Sequence, residues 1–196
     1  ARYGVVLVDE FQDTDPVQWD ILRTAFAGHT TMVLIGDPKQ AIYGFRGADV
    51  HCYLDARESP GTTVSTLPTN YRSDPGLVAA FDAVLGGATL GERGIVVKPV
   101  TAAQPGPRLA GDAALTAPFR LRVWPSGAGD DAAVKVSKVR RRVRDDLVSD
   151  VVRLLGSDVT LERHDGRGPT RVEPGDVAVL VRTNEAAEDV RARLVQ

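Results

Sequence analysis

The sequence predicts an α/β protein. Apolar strand patterns at residues 4–8 and 32–35 enclose a helical pattern over 16–27, and this strand–helix–strand order is typical of a parallel sheet. The strand residues are apolar at consecutive positions rather than at alternate ones, which favours strands that are buried on both faces. We therefore predict partial domains with a mainly parallel sheet and flanking helices.

The composition agrees with a globular protein. The chain has 196 residues, a net charge of −2 and 43% hydrophobic residues, which excludes wholesale disorder and fibrous repeats. No apolar run is long enough to cross a bilayer, so we expect no membrane partner. The single cysteine, Cys52, cannot form an internal disulfide, and this predicts a reducing compartment, the cytoplasm. The chain begins without Met and ends within a helical pattern, so we expect an internal segment of a longer protein.

Helix boundaries carry local signals. Asp15 followed by Pro16 is a typical helix start, and Asp74 followed by Pro75 is another. Apolar residues at helical spacing predict further helices over 75–85 and 136–155, and Asn184 is expected to cap a last helix. Residues 86–118 are rich in Gly and Pro and predict a surface connection with at most a short strand at 94–97. Three further segments predict strands: residues 62–67, the alternating segment 119–124 and the apolar segment 177–181.

Two carboxylates follow the first strand directly. Asp9 and Glu10 come after an apolar run, at the sheet edge where open α/β sheets bind ligands. One carboxylate can hold Mg²⁺, and the neighbouring one can orient or deprotonate a water molecule. A solvated turn after the strand explains the bare pair of residues equally well.

A polar loop, residues 36–49, follows the second strand. Gln40 in this loop can contact a terminal phosphate, and Phe45 and Arg46 can offer a stacking ring and a phosphate partner. Tyr43 is more simply explained as an anchor of the loop. A third group, Asn70-Tyr71-Arg72-Ser73, places an aromatic ring and an arginine before a helix start. Such an arginine can stabilise the charge of phosphoryl transfer, although a surface arginine beside a helix cap explains the isolated pattern.

Taken together, these segments resemble superfamily-1 DNA helicases of the UvrD/Rep type, most of all their RecB branch. The resemblance rests on Asp9-Glu10-Phe11-Gln12-Asp13-Thr14, on residues 36–49 and on Asn70-Tyr71-Arg72-Ser73, while residues 174–182 look like a later strand of the second motor domain. It implies RecA-like motor domains, with the end of the first at 1–57 and the start of the second at 58–196. The motifs cover residues 5–73 densely and the remainder loosely.

The resemblance also implies roles for single residues. Asp9 would hold Mg²⁺, Glu10 would activate the attacking water, and Gln40 would sense the γ-phosphate of ATP. Tyr71 would lie against the adenine, and Arg72 would contact the γ-phosphate. Phe45, which stands where the family usually has Trp, would stack on a base of single-stranded DNA, with Tyr43 and Arg46 supporting DNA binding.

The function implied is an ATP-dependent helicase that moves along single-stranded DNA and unwinds duplex DNA in recombinational repair, with an associated exonuclease. Its partners would be DNA and the other subunits of a RecBCD-like complex. The sequence contains no Gly-x-x-x-x-Gly-Lys-Ser/Thr pattern, so the isolated chain is expected to be inactive. The alternative is a helicase-like interaction module without ATP turnover, although Asp9, Glu10, Gln40 and Arg72 are all retained.

The stretch 135–144 holds six basic residues. It is compatible with DNA-backbone binding, but a solvated face of an amphipathic helix is the simpler interpretation. His29, His51 and His164 share no metal-ligand spacing.

Overall fold

The computed structural model describes residues 3–42, 44, 47–123, 135–163 and 168–195. The chain forms two compact units of mixed helices and short strands. One consists of Ala1–Asn70 with Phe81–Thr101, and the other of Tyr71–Ala80 with Ala102–Gln196. The division into motor domains after residue 57 stays a prediction.

The first unit contains the strand–helix–strand segment that the sequence predicts. It consists of β1 (Val5–Val8), α1 (Pro16–Phe26) and β2 (Thr31–Leu34), and the two strands pair in parallel from Val5 opposite Thr31 to Val8 opposite Leu34. Asp15 caps α1, because its carboxylate accepts from the Gln18 N–H while the Gln18 side chain accepts from the Asp15 N–H. The three element types are therefore confirmed, and each boundary lies within one residue of the prediction.

The burial of these strands was predicted wrongly. Neither β1 nor β2 contains a buried residue, and exposed residues alternate with half-buried ones along both strands. Val5, Leu7 and Val33 are 54%, 66% and 40% exposed. Parallel register places all three on one face of the pair, so this face is apolar and open to solvent in the unit as described.

The rest of the first unit contains a helix that the sequence analysis missed. Helix α2 (Val50–Glu58) begins after Asp49, whose side chain accepts from the His51 N–H, and it buries Cys52 and Ala56. Burial raises the pKa of the Cys52 thiol, and nearby carboxylates add to that effect. The segment predicted as a short strand at 94–97 makes a single bridge, between Thr89 and Val96.

The strand predicted at 62–67 is absent. The chain pairs only later, at β3 (Thr69–Asn70), and the preceding Pro68 carbonyl accepts from the Thr101 N–H at the start of β4 (Thr101–Ala102). A segment forms a strand only where a neighbouring strand satisfies its backbone groups, and residues 62–67 have no such neighbour among the described residues. Helix α3 (Pro75–Leu85) follows with the predicted bounds.

The second unit is built around an antiparallel sheet. Its strands are β5 (Leu109–Ala110), β6 (Thr160–Leu161) and β7 (Thr170–Arg171), with β6 in the centre. Its helices are α4 (Ala113–Thr116), α5 (Val136–Leu155) and α6 (Asn184–Leu194). Leu115, Val159 and Val172 form the buried core. Parallel pairing, predicted for most of the fold, holds for β1 and β2 but not for this sheet.

Several predictions for the second unit need correction. Residues 119–123 and 177–181 form no strand, and Trp124 lies outside the described residues. The first segment is instead fixed by ion pairs, because Arg120 and Arg122 both contact Asp150 of α5. Thr183, rather than Asn184, caps α6 by accepting from the Ala186 N–H. Helix α5, in contrast, has the predicted bounds. Among the described helices, none has the length and apolar character required to cross a membrane.

Candidate functional site

The first element of the site is the turn that follows β1. Asp9 and Glu10 leave the strand together, and the Asp9 carboxylate accepts from the Glu10 N–H at 2.9 Å. Glu10 has φ 52° and ψ 39°, the one left-handed residue other than glycine among those described. This conformation starts the short 3₁₀ turn Phe11–Asp13. A non-glycine residue in this region carries strain of about 1–3 kcal/mol, which surrounding contacts must hold.

Phe11 helps to hold the left-handed conformation of Glu10 by packing against neighbouring elements. Its side chain is 1% exposed and lies edge-on to Trp19 of α1, with ring centroids 5.1 Å apart, and near Tyr53 of α2. Its N–H donates to the Ile35 carbonyl at 2.9 Å, just past the end of β2. The turn is therefore fixed to both neighbouring helices and to the end of the second strand.

Gln12 helps to hold the same conformation of Glu10 through hydrogen bonds. It is also 1% exposed, its Nε2 donates to the Glu10 carboxylate at 2.7 Å, and its Oε1 accepts from the Asp37 N–H at 3.0 Å. Gln12 has no role in the sequence-based predictions, although it lies within the motif that carries the resemblance. The available signal was a polar residue directly after Phe11 in the turn that follows β1.

A cleft of about 420 Å³ opens beside these carboxylates. Asp9, Glu10 and Asp13 line it, and the other lining residues are Val8, Thr14, Gln18, Ile21 and Leu22. One oxygen of Asp13, Oδ1, is buried and has no hydrogen-bond partner among the described residues. Within that part of the chain, no group of three or more metal-ligating side chains surrounds a single point. An open set of carboxylates fits Mg²⁺, which keeps several waters and shares its ligands with substrate phosphates.

The second element is the loop after β2. Asp37 caps the 3₁₀ turn Pro38–Gln40 and accepts from the backbone N–H and the ammonium of Lys39. The Gln40 amide donates to the other oxygen of Asp37 at 3.2 Å and is otherwise exposed. Burial opposes ionisation of Asp37, but these hydrogen bonds and the Lys39 charge outweigh it and lower the pKa.

The structure thus brings three predicted site residues to one edge of the first unit. Asp9 and Glu10 follow β1, and Gln40 follows β2, its parallel neighbour. The three residues predicted to contact DNA, Tyr43, Phe45 and Arg46, lie outside the described residues.

Tyr71 and Arg72 belong to the second unit. The Tyr71 side chain is 76% exposed, and its carbonyl accepts from the Gln104 amide. The Arg72 carbonyl accepts from Arg108, whose guanidinium and N–H also bind the Asp74 carboxylate. The backbone of this motif is therefore fixed just before α3, while the tyrosine ring faces solvent.

The basic stretch forms the exposed first half of α5. The side chains of Lys135, Lys138 and Arg141 form no ion pair with the described residues, whereas Arg144 pairs with Asp189 of α6. This arrangement agrees with a solvated helix face and does not test DNA binding.

Comparisons with known proteins agree with the motifs. Residues 1–60 match the UvrD/REP helicase N-terminal domain. The RecBCD enzyme subunit RecB of Mycolicibacterium smegmatis is 45% identical over 194 residues, or 99% of this chain. The first 60 residues thus match a UvrD/REP helicase domain, and nearly the whole chain is similar to a RecB subunit. Two further RecB subunits, from Mycobacterium tuberculosis and Escherichia coli, are 46% and 34% identical over 100% and 99% of the chain.

The similarity to RecB subunits extends beyond the matched helicase domain. The similarity to RecB subunits covers both units, including the antiparallel sheet that lies outside residues 1–60. The chain spans about 17% of the length of these curated relatives. The roles of individual residues are not tested by this similarity and stay predictions.

Proposed function

We propose that this chain is part of an ATP-dependent DNA helicase of the RecB type. The observation that carries the proposal is the pair Asp9 and Glu10 at the end of β1, next to a polar loop that bears Gln40 at the end of the parallel strand β2. Carboxylates after one strand and a phosphate-contacting amide after its neighbour form one half of a site for ATP hydrolysis at a sheet edge.

In this proposal the chain supplies the carboxylate half of an ATP site within RecA-like motor domains. Asp9 holds Mg²⁺, with Asp13 close by in the same cleft. When bound, the ion would neutralise charge on the phosphate oxygens. Glu10 accepts a proton from the water that attacks the γ-phosphate, which is general-base catalysis.

The remaining residues recognise the nucleotide and the DNA. Gln40 contacts the γ-phosphate, Arg72 stabilises the charge that develops on it, and Tyr71 stacks on the adenine. Phe45 stacks on a base of single-stranded DNA, and Tyr43 and Arg46 assist it. The exposed Tyr71 ring supports its proposed stacking role.

The whole protein would couple ATP hydrolysis to movement along single-stranded DNA and to duplex unwinding in recombinational repair. The similarity to RecB subunits supports this role, and it supports an associated exonuclease and other subunits of a RecBCD-like complex as partners. We propose the cytoplasm as its location, since the only cysteine is a buried free thiol.

The test is ATP hydrolysis by the full-length protein that contains this chain. Glu10→Gln keeps the shape of the side chain but removes the base, so we expect kcat to fall by about 10²–10⁴-fold with little change in ATP binding. Asp9→Asn should instead weaken the dependence of binding on Mg²⁺. Glu58→Gln, an exposed change at the end of α2, is the matched control and should leave hydrolysis unchanged.

This experiment separates the proposal from the non-catalytic alternative. Wild-type protein with no DNA-stimulated hydrolysis would favour an interaction module. Active wild type together with an equally active Glu10→Gln variant would contradict the assignment of Glu10 as the base.

A further inference from the structure

We infer that Gln12 is a positioning residue that holds the Glu10 carboxylate and ties it to the loop carrying Gln40. The inference rests on the proposed function, because it concerns the base of that reaction. The first supporting observation is that Gln12 is only 1% exposed although its side chain ends in an amide. A buried amide is costly unless its donor and acceptor are both satisfied.

Both ends of the amide are satisfied by groups from the two site elements. Nε2 donates to the Glu10 carboxylate at 2.7 Å and, more weakly, to Asp13 at 3.4 Å. Oε1 accepts from the Asp37 N–H at 3.0 Å. A single side chain thus connects the turn after β1 to the loop after β2.

The chemistry of the partners sets the orientation of this amide. An ionised carboxylate only accepts hydrogen bonds, and a backbone N–H only donates them. The opposite orientation would place the amide oxygen against the Glu10 carboxylate and its NH₂ against the Asp37 N–H. Glutamine is therefore suited to this position, whereas glutamate cannot donate and methionine can do neither.

Gly36 makes the connection possible. A Cβ atom at this position would lie 2.7 Å from Gln12 Oε1 and 3.1 Å from its backbone nitrogen. Real Cβ atoms do not approach so closely, so any side chain at position 36 would push the Gln12 amide away from Asp37. The short distance shows that the two segments meet at Gln12.

The consequence concerns the direction of the Glu10 side chain. Glu10 lies in a left-handed conformation, and among the described residues its carboxylate accepts a side-chain hydrogen bond only from the Gln12 amide. A general base must lie within hydrogen-bond reach of the water whose proton it takes. Because Asp37 also binds the Gln40 amide, a shift of this loop on phosphate binding would reach Glu10 through Gln12.

The experiment measures ATP hydrolysis by the full-length protein with Gln12→Met, alone and combined with Glu10→Gln. Misplacing a catalytic group by about 1 Å can cost 10²-fold, so we expect kcat to fall by about 10- to 100-fold for Gln12→Met while KM for ATP changes little. In the Glu10→Gln background the same substitution should cause no further loss, because Gln12 acts through the base.

Three further variants keep the test decisive. Gln12→Glu keeps an acceptor for Asp37 but repels Glu10, and Gly36→Ala displaces the amide without altering it; both should lower kcat as Gln12→Met does. If Gln12→Met fails to fold, the kcat values of Gln12→Glu and Gly36→Ala test the role of Gln12 instead. Cys52→Ala removes a buried atom from α2 of the same unit, outside the turn, and should lower the melting temperature with kcat near that of wild type.

The outcomes distinguish the two proposals. Wild-type kcat in folded Gln12→Met, or an equal further loss in the Glu10→Gln background, would overturn the role of Gln12. If Glu10→Gln itself hydrolyses ATP as wild type does, the proposed base is wrong and the inference about Gln12 falls with it.

Discussion

The two units bury their side chains in different places. In the first unit, β1 and β2 contain no buried residue, while the turn between β1 and α1 contains Phe11 and Gln12, each 1% exposed. In the second unit, apolar residues next to the strands, Val159 and Val172, are buried together with Leu115. The candidate site is therefore held by its own turn, whereas the second unit is held by a small apolar core.

This difference indicates that a site can keep its geometry through local contacts even where the strands beside it are exposed. Phe11 packs against two helices, and Gln12 joins the ends of two strands, so local contacts fix the Asp9–Glu10 turn. A functional constellation needs such support to keep its geometry. The apolar face of β1 and β2 has no comparable role in fixing the turn in the unit described.

The largest effect on stability is expected at Phe11. Phe11→Ala should destabilise the first unit by about 3–5 kcal/mol, because it removes a buried ring and leaves a cavity between α1 and α2. Urea unfolding of a Trp124→Phe background, in which Trp19 of α1 is the only tryptophan, measures this loss by fluorescence. Leu7→Ala on the exposed strand face is the control and should change stability by less than about 0.5 kcal/mol. Similar losses of stability in Phe11→Ala and Leu7→Ala would contradict the contrast between the buried turn and the exposed strands.

A smaller effect is expected in the core of the second unit. Val159→Ala removes two buried carbon atoms next to Gly111, at a cost of about 2 kcal/mol. Hydrogen exchange should show the loss at β5, β6 and β7, with protection at α1 unchanged. Equal loss of protection at α1 would mean that the two units unfold as one.

The smallest effect is expected from the ion pairs that fix residues 119–123. Burial opposes ionisation of Asp150, but hydrogen bonds and charge from Arg120 and Arg122 outweigh it, so its pKa lies below the ordinary value of 3.8. Stability from this group is therefore full above about pH 3.8 and is lost as the pH falls through the lowered pKa.

Asp150→Asn should consequently cost about 1 kcal/mol at pH 7, a figure reduced for partial exposure, and should weaken the acid sensitivity of the second unit. Thermal melting between pH 7 and pH 2 measures both effects. Asp158→Asn, at a carboxylate that is 99% exposed, is the matched control. An unchanged acid transition in Asp150→Asn would exclude these pairs as its source.

Local signals explain which elements the sequence predicts well. Helix α1 starts at an Asp-Pro pair, α3 starts at another, and α5 ends at Gly156, so their bounds follow from neighbouring residues. Helix α2 was missed although it carries the same kind of signal, an aspartate cap at Asp49 with buried Cys52 and Ala56 four residues apart.

Strands depend on partners that are distant in sequence, and here the sequence was less informative. Residues 177–181 are as apolar as β1 but pair with nothing among the described residues, whereas Thr160–Leu161 and Thr170–Arg171 pair although each is only two residues long. The candidate site shows the same difference between local patterns, which could be predicted, and long-range contacts, which could not. Asp9, Glu10 and Gln40 could be named from strand ends, but the link through Gln12 depends on a hydrogen bond between residues 25 positions apart.

In the proposed function, this chain carries the carboxylate half of an ATP site without the half that binds the phosphates. Nucleotide affinity in such sites comes largely from backbone N–H groups and a lysine around the phosphates, and the sequence lacks the Gly-x-x-x-x-Gly-Lys-Ser/Thr pattern that supplies them. Isothermal titration calorimetry of the isolated 196-residue chain with ATP and Mg²⁺ tests this claim, with circular dichroism to show that the chain is folded. We predict no binding in the micromolar range, and micromolar binding by the folded chain would contradict the account.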